Sequence, residues 1–506
     1  MCGLCHSALC DGIEHAQDGT FAAAAASGPG GTTSLNYIIG QLNRGDYSWG
    51  GIAVVTYSFA KVLPSYAKGL DEYDGFNSFN SQQMDMARLA LETWSDVADI
   101  SFQESNSYFA PIRFANSDTL ADYSAAHAYL PGFSSWAGDV WVNSDYAYNT
   151  APEVGNYGYK VLVHEIGHAI GQPHPGDYNA NGGKLSYQNN AAYAEDSAQY
   201  SIMSYWDESH TGADFGDAYA QTPMLHDILA IQAKYGVNMS TRTDDTVYGF
   251  NSNTDSPIFD FSQNTAPVFS IWDAGGTDTI DFSDYFVDTV INLNEGGFSS
   301  AAGLTNNISI AYGAVIENAI GGAGDDVVIG NQWDNLVDAG AGSDVFVLNQ
   351  SSLSADTYVF DNGEIIVFSD HGTDRLTNVE TISYADADLD VIAQTQISIL
   401  EYAASYEDVE EAFGTDEEAL FDHFVEFGLT EGRTIDFSAL DYIASHQDLI
   451  EVFGADAEAG ARHYIEFGRA ENREITFDSA AFLAANPELV SLQGQEINAA
   501  KMFIEL

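Results

Sequence analysis

The chain has 506 residues, of which 45% are hydrophobic, so we expect two to four packed domains rather than a disordered polymer. Its 75 acidic residues far outnumber its 15 basic residues, and the formal net charge is −60. Such a surface repels phosphate backbones and anionic lipids, so the composition argues against nucleic-acid binding. It is typical of a highly soluble protein for salty water, or of a protein whose carboxylates bind cations, and the two are compatible.

The first 32 residues are predicted to be a leader with a linker. All three cysteines, Cys2, Cys5 and Cys10, lie there, so the remainder of the chain cannot form a disulfide. The stretch 20–33 is small, Gly-rich and uncharged, which is typical of a linker. The N-terminus lacks a basic region followed by an apolar stretch, so we expect no Sec signal peptide. No apolar run is long enough for a membrane span.

Residues 33–237 mix helical and β-type patterns, which predicts an α+β domain. A short helix is expected in "TSLNYIIGQL" and a strand at 53–59. A longer helix is expected at 80–98, because Ala87, Leu91, Trp94 and Val97 share one face. Short β-type runs follow in "ISFQE", "PIRFAN", "AHAYLP" and "DVWVN". The stretch "YKVLVHEIGHAIG" is predicted to be helical, with Gly171 as its end.

The stretch "HEIGHAIGQPHPG" has the spacing of a catalytic zinc site. On a helix, residues four apart share one face, so His164 and His168 can bind the same ion. Gly171 can adopt a positive φ, reverse the chain and bring His174 in as the third ligand. Three imidazoles leave the fourth tetrahedral position open, and Glu165 lies close enough to hold a water. The complete H-E-x-x-H-x-x-G-x-x-H pattern therefore predicts metal-assisted hydrolysis.

The stretch "SIMSYW" supports this prediction. It places Met203 in a tight turn, which resembles the Met-turn beneath the zinc site of metzincins. Tyr205, two residues further on, can bring its phenol near the open position of the ion.

Gly and Asp punctuate the chain after residue 237, which predicts a calcium-binding parallel β-roll at 238–390. "GGAGDDVVI" fits the nonapeptide G-G-x-G-x-D-x-U-x, and "AGAGSDVFV" fits it with Ala in the first position. Asp326 and Asp344 occupy the sixth positions and offer carboxylates to a hard cation. "GNQWDNLVD" between them is a degenerate turn.

Residues 391–506 contain a repeat with a period of 40. Tyr402, His423 and Arg433 recur as Tyr442, His463 and Arg473, and a third, partial copy contains Phe482. The segments are acidic and helical in pattern, so a small array of helical units is predicted.

The stretches "HEIGHAIGQPHPGDYNA", "YAEDSAQYSIMSYW", "TRTDDTVYGFNSN", "WDAGGTDTIDFSDY" and "IENAIGGAGDDVVIGN" together resemble the serralysin family of secreted bacterial zinc metalloproteases. The resemblance covers about 33–347 in the right order. It implies a multidomain protein: a metzincin-type protease domain, then an all-β parallel roll of the RTX type, then the helical repeats.

The resemblance also implies roles for the residues of the zinc site. His164, His168 and His174 would bind one zinc ion, and Glu165 would be the general base that activates its water. Tyr205 would be a further zinc ligand that swings away and stabilises the oxyanion together with the zinc. "AHAYLPG" resembles the metzincin edge strand, which pairs with an extended substrate. His127 in that strand is expected to be structural.

Several structural calcium ions are implied as well. Two positions depart from the family pattern, because Asp244 stands where Gly is usual and Val315 where Thr is usual; both could still bind through backbone carbonyls. The candidate calcium residues are Arg242, Asp244, Thr246, Asp273, Gly275, Gly276, Asp278, Val315, Glu317, Gly322, Gly324, Asp326, Asn331, Asn335, Gly340, Gly342 and Asp344.

Family resemblance further implies type I secretion with an uncleaved C-terminal signal, and hence an extracellular endopeptidase that cuts proteins and peptides. The type I secretion machinery and a proteinaceous inhibitor are the implied partners, besides substrates. The alternative is a calcium-dependent surface or adhesion protein, in which the repeats do the work and the protease domain is accessory.

The leader cysteines leave four hypotheses open. "CGLCH" matches the C-x-x-C-H pattern of haem attachment, but no periplasmic signal precedes it. Cys2, Cys5, Cys10 and His6 could hold a structural zinc ion. The thiols could lack a role on a discarded leader. One thiolate could instead occupy the open position of the catalytic zinc and keep a zymogen latent.

Overall fold

The computed structural model describes residues 33–50, 54–63, 65–67, 72–107, 109–120, 124–178, 185–394, 396–486 and 496–505. The predicted leader, with Cys2, Cys5 and Cys10, lies outside the described residues. The chain forms two compact units, which meet at residues 329 and 330 of the sequence.

These units do not coincide with the predicted domain bounds after residues 237 and 390. Within the first unit, backbone hydrogen bonds tie the end of the expected protease domain to the strands that follow it. Gln221 N donates to Val268 O at 2.9 Å, and Asp214 exchanges two hydrogen bonds with Thr305. Such pairing across residue 237 makes one compact body, and the predicted bounds stay a prediction.

The first unit begins with a mixed sheet, whose described strands run in the order β3-β1-β4-β6-β5 with β2 beside β4. β1 is parallel to β3 and to β4, and β4 is parallel to β6, whereas β5 is antiparallel to β6 and β2 is antiparallel to β4. The strands are β1 Val54–Phe59, β2 Phe76–Asn77, β3 Ser101–Glu104, β4 Ile112–Ser117, β5 Ala126–Ala128 and β6 Asp139–Asn143.

Helices accompany this sheet, and two of them build its core. The indole of Trp94 in α2 donates to Val163 O of α4 at 3.0 Å, and Trp94 is fully buried. α2 begins with a capping box, in which the Asn80 side chain accepts from Gln83 N and the Gln83 side chain accepts from Asn80 N. The helices are α1 Leu35–Leu42, α2 Ser81–Val97, α3 Ala147–Thr150, α4 Tyr157–Ala169, α5 Tyr187–Asn190 and α6 Leu225–Tyr235.

Short strands fill the rest of the first unit. β7, β9 and β13 are parallel neighbours, as are β10 with β14 and β8 with β12, and their residues Tyr248, Phe269 and Ile280 are buried. The strands are β7 Val247–Gly249, β8 Phe269–Ile271, β9 Thr279–Asp281, β10 Val290–Asn292, β11 Phe298–Ser299, β12 Ile308–Ile310, β13 Asn318–Ile320 and β14 Val327–Ile329.

The second unit continues with parallel pairs and antiparallel hairpins. β15 is parallel to β19 and β16 to β20, while β17, β18 and β19 form an antiparallel meander. The strands are β15 Leu336–Asp338, β16 Val345–Leu348, β17 Ala355–Val359, β18 Ile365–Ser369, β19 Gly372–Thr377, β20 Thr381–Tyr384 and β21 Asp388–Asp390.

Helical repeats complete the second unit. The 40-residue period is confirmed, because Tyr402 contacts His423 Nδ1 at 2.9 Å and Tyr442 contacts His463 Nδ1 at the same distance. Each copy also has a π-helical turn, at Phe424–Gly428 and Tyr464–Gly468. The helices are α7 Ile399–Ser405, α8 Glu407–Phe413, α9 Glu417–His423, α10 Ala439–Ala444, α11 Gln447–Phe453, α12 Ala457–His463, α13 Ser479–Ala485 and α14 Glu496–Glu505.

Among the described residues, no helix combines the length and the apolar character that crossing a bilayer requires.

Candidate metal centre

α4 presents the first two histidines as the sequence predicts. Asn156 caps this helix by accepting from Tyr159 N at 2.9 Å, and the helix continues through His164 and His168 to Ala169. The two imidazole rings lie one turn apart on one face, with centroids 4.8 Å apart.

Gly171 turns the chain so that the third histidine reaches the first two. Its φ is +104°, and Gln172 N donates to Gly167 O at 2.9 Å, which closes the helix in a Schellman-type turn. A Cβ on Gly171 would lie 2.0 Å from Tyr47 O, so a larger residue cannot occupy this position without movement. The turn leads directly to His174.

The three imidazoles converge through their Nε2 atoms. The Nε2 atom of His174 lies 3.0 Å from that of His168 and 3.3 Å from that of His164. Each Nδ1 atom instead faces a backbone carbonyl: Ile202 O at 2.7 Å, Gln172 O at 2.7 Å and Tyr178 O at 3.1 Å. Because a carbonyl only accepts, each Nδ1 carries the proton and each Nε2 presents its lone pair to the shared point.

This donor set fits zinc. Three lone pairs aimed at one point repel each other unless a cation lies between them. Tetrahedral zinc with Zn–N bonds of about 2.0–2.1 Å places its ligand nitrogens about 3.3 Å apart, close to the observed separations. The ligand atoms of the three histidines all lie within 4.8 Å of one another, as a shared metal ion requires.

Burial keeps the three imidazoles neutral, as metal binding requires. Burial lowers the pKa of His168 to about 4 and lowers the pKa values of His164 and His174 well below the ordinary value. Neighbouring imidazoles lower the pKa values of His164 and His174 further.

Glu165 lies beside the histidines and is almost fully buried. Its Oε2 atom has no hydrogen-bond partner, and the backbone N–H of Ala128 in β5 bonds to its carboxylate. Burial raises the pKa of Glu165 to about 7, which lies in the range that suits a group exchanging protons near neutral pH.

Met203 packs directly beneath the helix that carries the histidines. It is fully buried, and a Cβ on Gly167 would lie 2.6 Å from its sulfur and 2.9 Å from Cζ2 of Trp94. Only glycine at position 167 leaves room for this methionine, so the predicted Met-turn and α4 fit each other at one point.

Asp227 of α6 anchors the Met-turn. Its carboxylate accepts from Ser201 Oγ at 2.6 Å, Ile202 N at 2.6 Å and Met224 N at 2.9 Å. Since Ile202 O in turn accepts from His164 Nδ1, this carboxylate supports the first histidine through the turn. Asp227 was not predicted from the sequence, because nothing local distinguishes it from other acidic residues near a helix start.

Tyr205 lies against the histidine cluster, whereas His127 does not join it. The Tyr205 ring centroid is 4.3 Å from that of His174, and 42% of the residue is exposed. His127 Nε2 instead contacts Glu72 Oε1 at 2.6 Å, and Tyr129 donates to the same oxygen at 3.1 Å. The structure thus gives His127 an anchoring role in the edge strand β5.

The first candidate calcium residues converge around Asp278. Its Oδ1 atom accepts from Thr246 N at 2.7 Å, its backbone N donates to Glu317 Oε2 at 2.8 Å, and its Oδ2 atom has no hydrogen-bond partner. Burial, with the charges of Asp273 and Glu317, raises the pKa of Asp278 to about 7. Several carboxylates crowded together in this way fit a site for a hard cation.

Glycines bring backbone close to this cluster. Gly276 has a φ of +141°, and a Cβ there would lie 2.7 Å from Asp244 O. Gly275 N donates to Asp273 Oδ1 at 3.0 Å. The Arg242 guanidinium bonds to Asp96 and to Trp272 O, so any metal contact of Arg242 would use its carbonyl. Val315 offers no side-chain ligand.

Asp326 closes a second turn in the first unit. Its two oxygens accept from Thr289 N and Gly322 N, each at 2.7 Å. Added Cβ atoms on Gly322 and Gly324 would meet backbone atoms at 2.4 Å. This is the close packing that the nonapeptide pattern predicts.

The second unit contains the other candidate calcium residues. The Asn335 side chain accepts from Asn331 N and donates to Asn331 Oδ1, and Asn335 N donates to Asp374 Oδ1 at 3.1 Å. Asp344 N donates to Glu380 Oε2 at 2.7 Å. Asp374 and Glu380 were missed in the sequence because no nonapeptide surrounds them. Gly340 has a φ of +92°, and Gly342 lies in the bend that precedes β16.

Comparisons with known proteins agree with this geometry. Residues 71–185 match the family model for matrixin, and residues 237–427 match the model for the C-terminal part of peptidase M10 serralysins. These matches confirm the predicted architecture of a protease domain followed by a serralysin-type C-terminal domain.

Individual relatives are similar over the same region. Serralysin G of Dickeya chrysanthemi is 46% identical over 311 residues, which is 59% of this chain and 65% of that protein. Metallopeptidase AprA of Pseudomonas marginalis is 45% identical over 301 residues, or 58% and 63% of the two chains. Serralysin of Proteus mirabilis is 44% identical over 313 residues, or 58% and 62%. The chain thus spans less than two thirds of the length of each of these relatives.

Proposed function

We propose that this chain, whose matched region belongs to the serralysin family of metalloproteases, is a secreted zinc- and calcium-dependent endopeptidase. The substrates are peptide bonds of extracellular proteins. The observation that carries the proposal is the convergence of three imidazole lone pairs beside the buried carboxylate of Glu165.

His164, His168 and His174 would hold the zinc ion, because their Nδ1–H groups are fixed by backbone carbonyls and their Nε2 atoms remain free to bind it. Bound zinc supplies a Lewis acid that lowers the pKa of water and polarises a carbonyl. Glu165 takes the proton of the attacking water and passes it to the leaving amine.

Two further elements would orient the substrate. β5 pairs with β6 on one side, and an extended peptide could add to its other edge. Its Ala128 lies beside Glu165, so a peptide on this edge runs past the proposed base. The phenol of Tyr205 would donate to the oxyanion that forms on the substrate.

The carboxylates around Asp278, Asp326 and Asp344 would bind structural calcium. These aspartates are buried or nearly so, and the Oδ2 atom of Asp278 lacks a partner. If folding requires calcium, the chain stays unfolded inside the cell and folds outside, where calcium is abundant. This order of events suits export by the type I machinery.

The decisive experiment is the variant Glu165→Ala in the full chain. It should bind zinc with the parent's stoichiometry, because the three imidazoles remain, but lose about 10²–10⁴-fold in turnover of a casein-derived peptide. Zymography of the parent on casein, with and without a chelator, is the companion measurement. A parent that cuts casein equally well with chelator, or a variant that retains more than about a tenth of the activity, would refute the proposal.

A further inference from the structure

Asp196 lies between α5 and the Met-turn and is fully buried. Its Oδ1 atom accepts from the Tyr178 hydroxyl at 2.8 Å and from the Ser204 hydroxyl at 2.7 Å. Its Oδ2 atom accepts from Ala192 N at 2.8 Å. One buried carboxylate therefore joins the loop after the third histidine to the turn that carries Tyr205.

The Tyr178 side of this junction sets the orientation of His174. The carbonyl of Tyr178 accepts from His174 Nδ1 at 3.1 Å, and its ring stacks on the imidazole with centroids 5.7 Å apart and planes at 16°. The Tyr178 hydroxyl, at the far end of the same ring, bonds to Asp196. A shift of that carboxylate would therefore move the ring on which His174 rests.

The Ser204 side holds the backbone on both flanks of Tyr205. Ser204 Oγ donates to Asp196 and accepts from Trp206 N at 3.2 Å. The Tyr205 ring lies 4.3 Å from that of His174 and 5.2 Å from that of Tyr178. The backbone at Tyr205 is thus fixed while its half-exposed side chain faces the cluster.

We propose that Asp196 is a positioning residue for the peptide hydrolysis proposed above, acting on Tyr205 through Ser204 and on His174 through Tyr178. This inference rests on the proposed function. In it, Asp196 fixes the geometry of the site but contacts neither the metal nor the substrate. A carboxylate suits this task because charge-assisted hydrogen bonds are about twice as strong as neutral ones. Misplacing a catalytic group by about 1 Å can cost about 10²-fold in rate.

The test is a double-mutant cycle of Asp196→Asn and Tyr205→Phe, with kcat and KM measured on one peptide substrate. Tyr205→Phe alone should lower kcat more than it changes KM, since its hydroxyl acts in the transition state. Asp196→Asn alone should lower kcat about 10- to 100-fold with KM changed less than about threefold. At saturating zinc, where weaker metal binding through His174 does not lower kcat, the same substitution in the Tyr205→Phe background should cost less than about threefold in kcat, because the Tyr205 hydroxyl that it positions has gone.

Ser204→Ala and Tyr178→Phe separate the two sides. Ser204→Ala should reproduce the kcat loss and its disappearance in the Tyr205→Phe background. Tyr178→Phe should instead raise the zinc dissociation constant, measured by competition with a chelating dye. Asp207→Asn is the matched control, because Asp207 is an exposed acid two residues after Tyr205 that caps Ser209 N; it should behave like the parent.

Equal kcat losses in both backgrounds, for Asp196→Asn or for Ser204→Ala, would overturn the positioning role. If Asp196→Asn fails to fold, the Ser204→Ala cycle decides alone, since it removes only the two hydrogen bonds of Ser204 Oγ and leaves the carboxylate in place. An inactive parent would refute the proposed function instead, so the two failures are distinguishable.

Discussion

Position 167 shows how a missing side chain shapes the metal centre. Gly167 lies between the two histidines of α4, and its surface is covered by Met203 and Trp94. Helix propensity alone would favour alanine here by up to about 1 kcal/mol. The packing of the methionine against the bare backbone opposes that preference.

Gly167→Ala is therefore expected to destabilise the first unit, by about 1–2 kcal/mol after the gain in helix propensity is counted. The new methyl group would overlap Met203 Sδ and Trp94 Cζ2. Urea unfolding in the Glu165→Ala background, which prevents self-digestion, measures the loss. The double variant Gly167→Ala with Met203→Ala should cost less than the sum of its single changes, because the shortened side chain makes room for the new methyl group, which in turn fills part of the cavity.

Gly40→Ala is the control for this prediction. Gly40 lies in α1, and an added Cβ there would meet no atom within 4 Å. It should be neutral or stabilising, as helix propensity alone predicts. A Gly167→Ala protein as stable as Gly40→Ala would show that Met203 does not pack against position 167.

At the scale of elements, each helical repeat caps the next. Glu401 of α7 accepts from Ser398 N at 3.2 Å and from Ala439 N, the first residue of α10, at 2.6 Å. Ser405 Oγ accepts from Asp436 N at 3.0 Å, and Ser445 Oγ accepts from Thr476 N at 2.8 Å one copy later. The copies therefore depend on their neighbours for hydrogen bonds that no single copy supplies.

Glu401 gives this contact a pH dependence. Burial raises its pKa to about 7, and the nearby charges of Asp361 and Asp441 act in the same direction. The folded state thus keeps a proton that the unfolded chain loses near pH 4.5, so stability falls as pH rises from about 4.5 to 7. The glutamine in Glu401→Gln stays neutral, so the variant should lack this decrease in stability. Because one pKa unit corresponds to about 1.36 kcal/mol, the decrease in the parent is on the order of 3 kcal/mol.

Hydrogen exchange of peptides covering α7 and α10 measures this effect in the full chain. The ratio of parent to variant exchange rates cancels the intrinsic pH dependence, and it should rise about 10- to 100-fold between pH 5 and pH 7.5. Glu401→Gln also loses the hydrogen bond from Ser398 N, and this loss changes the ratio by the same factor at every pH. The rise of the ratio with pH therefore reports on the ionisation of Glu401. Glu411→Gln, at an exposed position of α8, should give a flat ratio; a flat ratio for Glu401→Gln would contradict the prediction.

For the molecule as a whole, the net charge of −60 opposes compaction. Carboxylates that are buried together, such as Asp278 with Asp273 and Glu317, concentrate that repulsion inside the fold. Screening by salt weakens repulsion between exposed charges, but it acts far less on buried ones. Cations bound between the buried carboxylates would remove the repulsion among them.

Calcium is therefore expected to raise the thermal midpoint of the full chain far more than sodium chloride of the same ionic strength. Circular dichroism of the Glu165→Ala protein, in chelator and in millimolar calcium, measures the midpoint. At a concentration 100 times the dissociation constant, one site contributes about 2.7 kcal/mol. Asp278→Asn should lose part of the calcium response, whereas the exposed Asp217→Asn should keep all of it. Equal responses to the two salts would mean that calcium only screens surface charge.

Local patterns in the sequence predicted much of the fold and most of the metal centre. The helix that carries His164 and His168, the turn at Gly171, the position of Met203 and the 40-residue repeat all follow from spacing within a helical turn or from self-similarity. The strands "ISFQE", "PIRFAN", "AHAYLP" and "DVWVN" were also recognised from alternation and turn residues. These features are local because backbone geometry repeats every few residues.

The sequence by itself determined which side chains could bind the metal, since four-residue spacing on a helix and one glycine turn bring three imidazoles together. Only the tertiary structure decided what holds them there: Asp227 of α6, which anchors the Met-turn, and Asp196, which joins Tyr178 to Ser204. These contacts join segments that approach only after the chain has packed. No local period records such pairs, because a buried carboxylate is selected by the donors that surround it in space rather than by its neighbours in sequence.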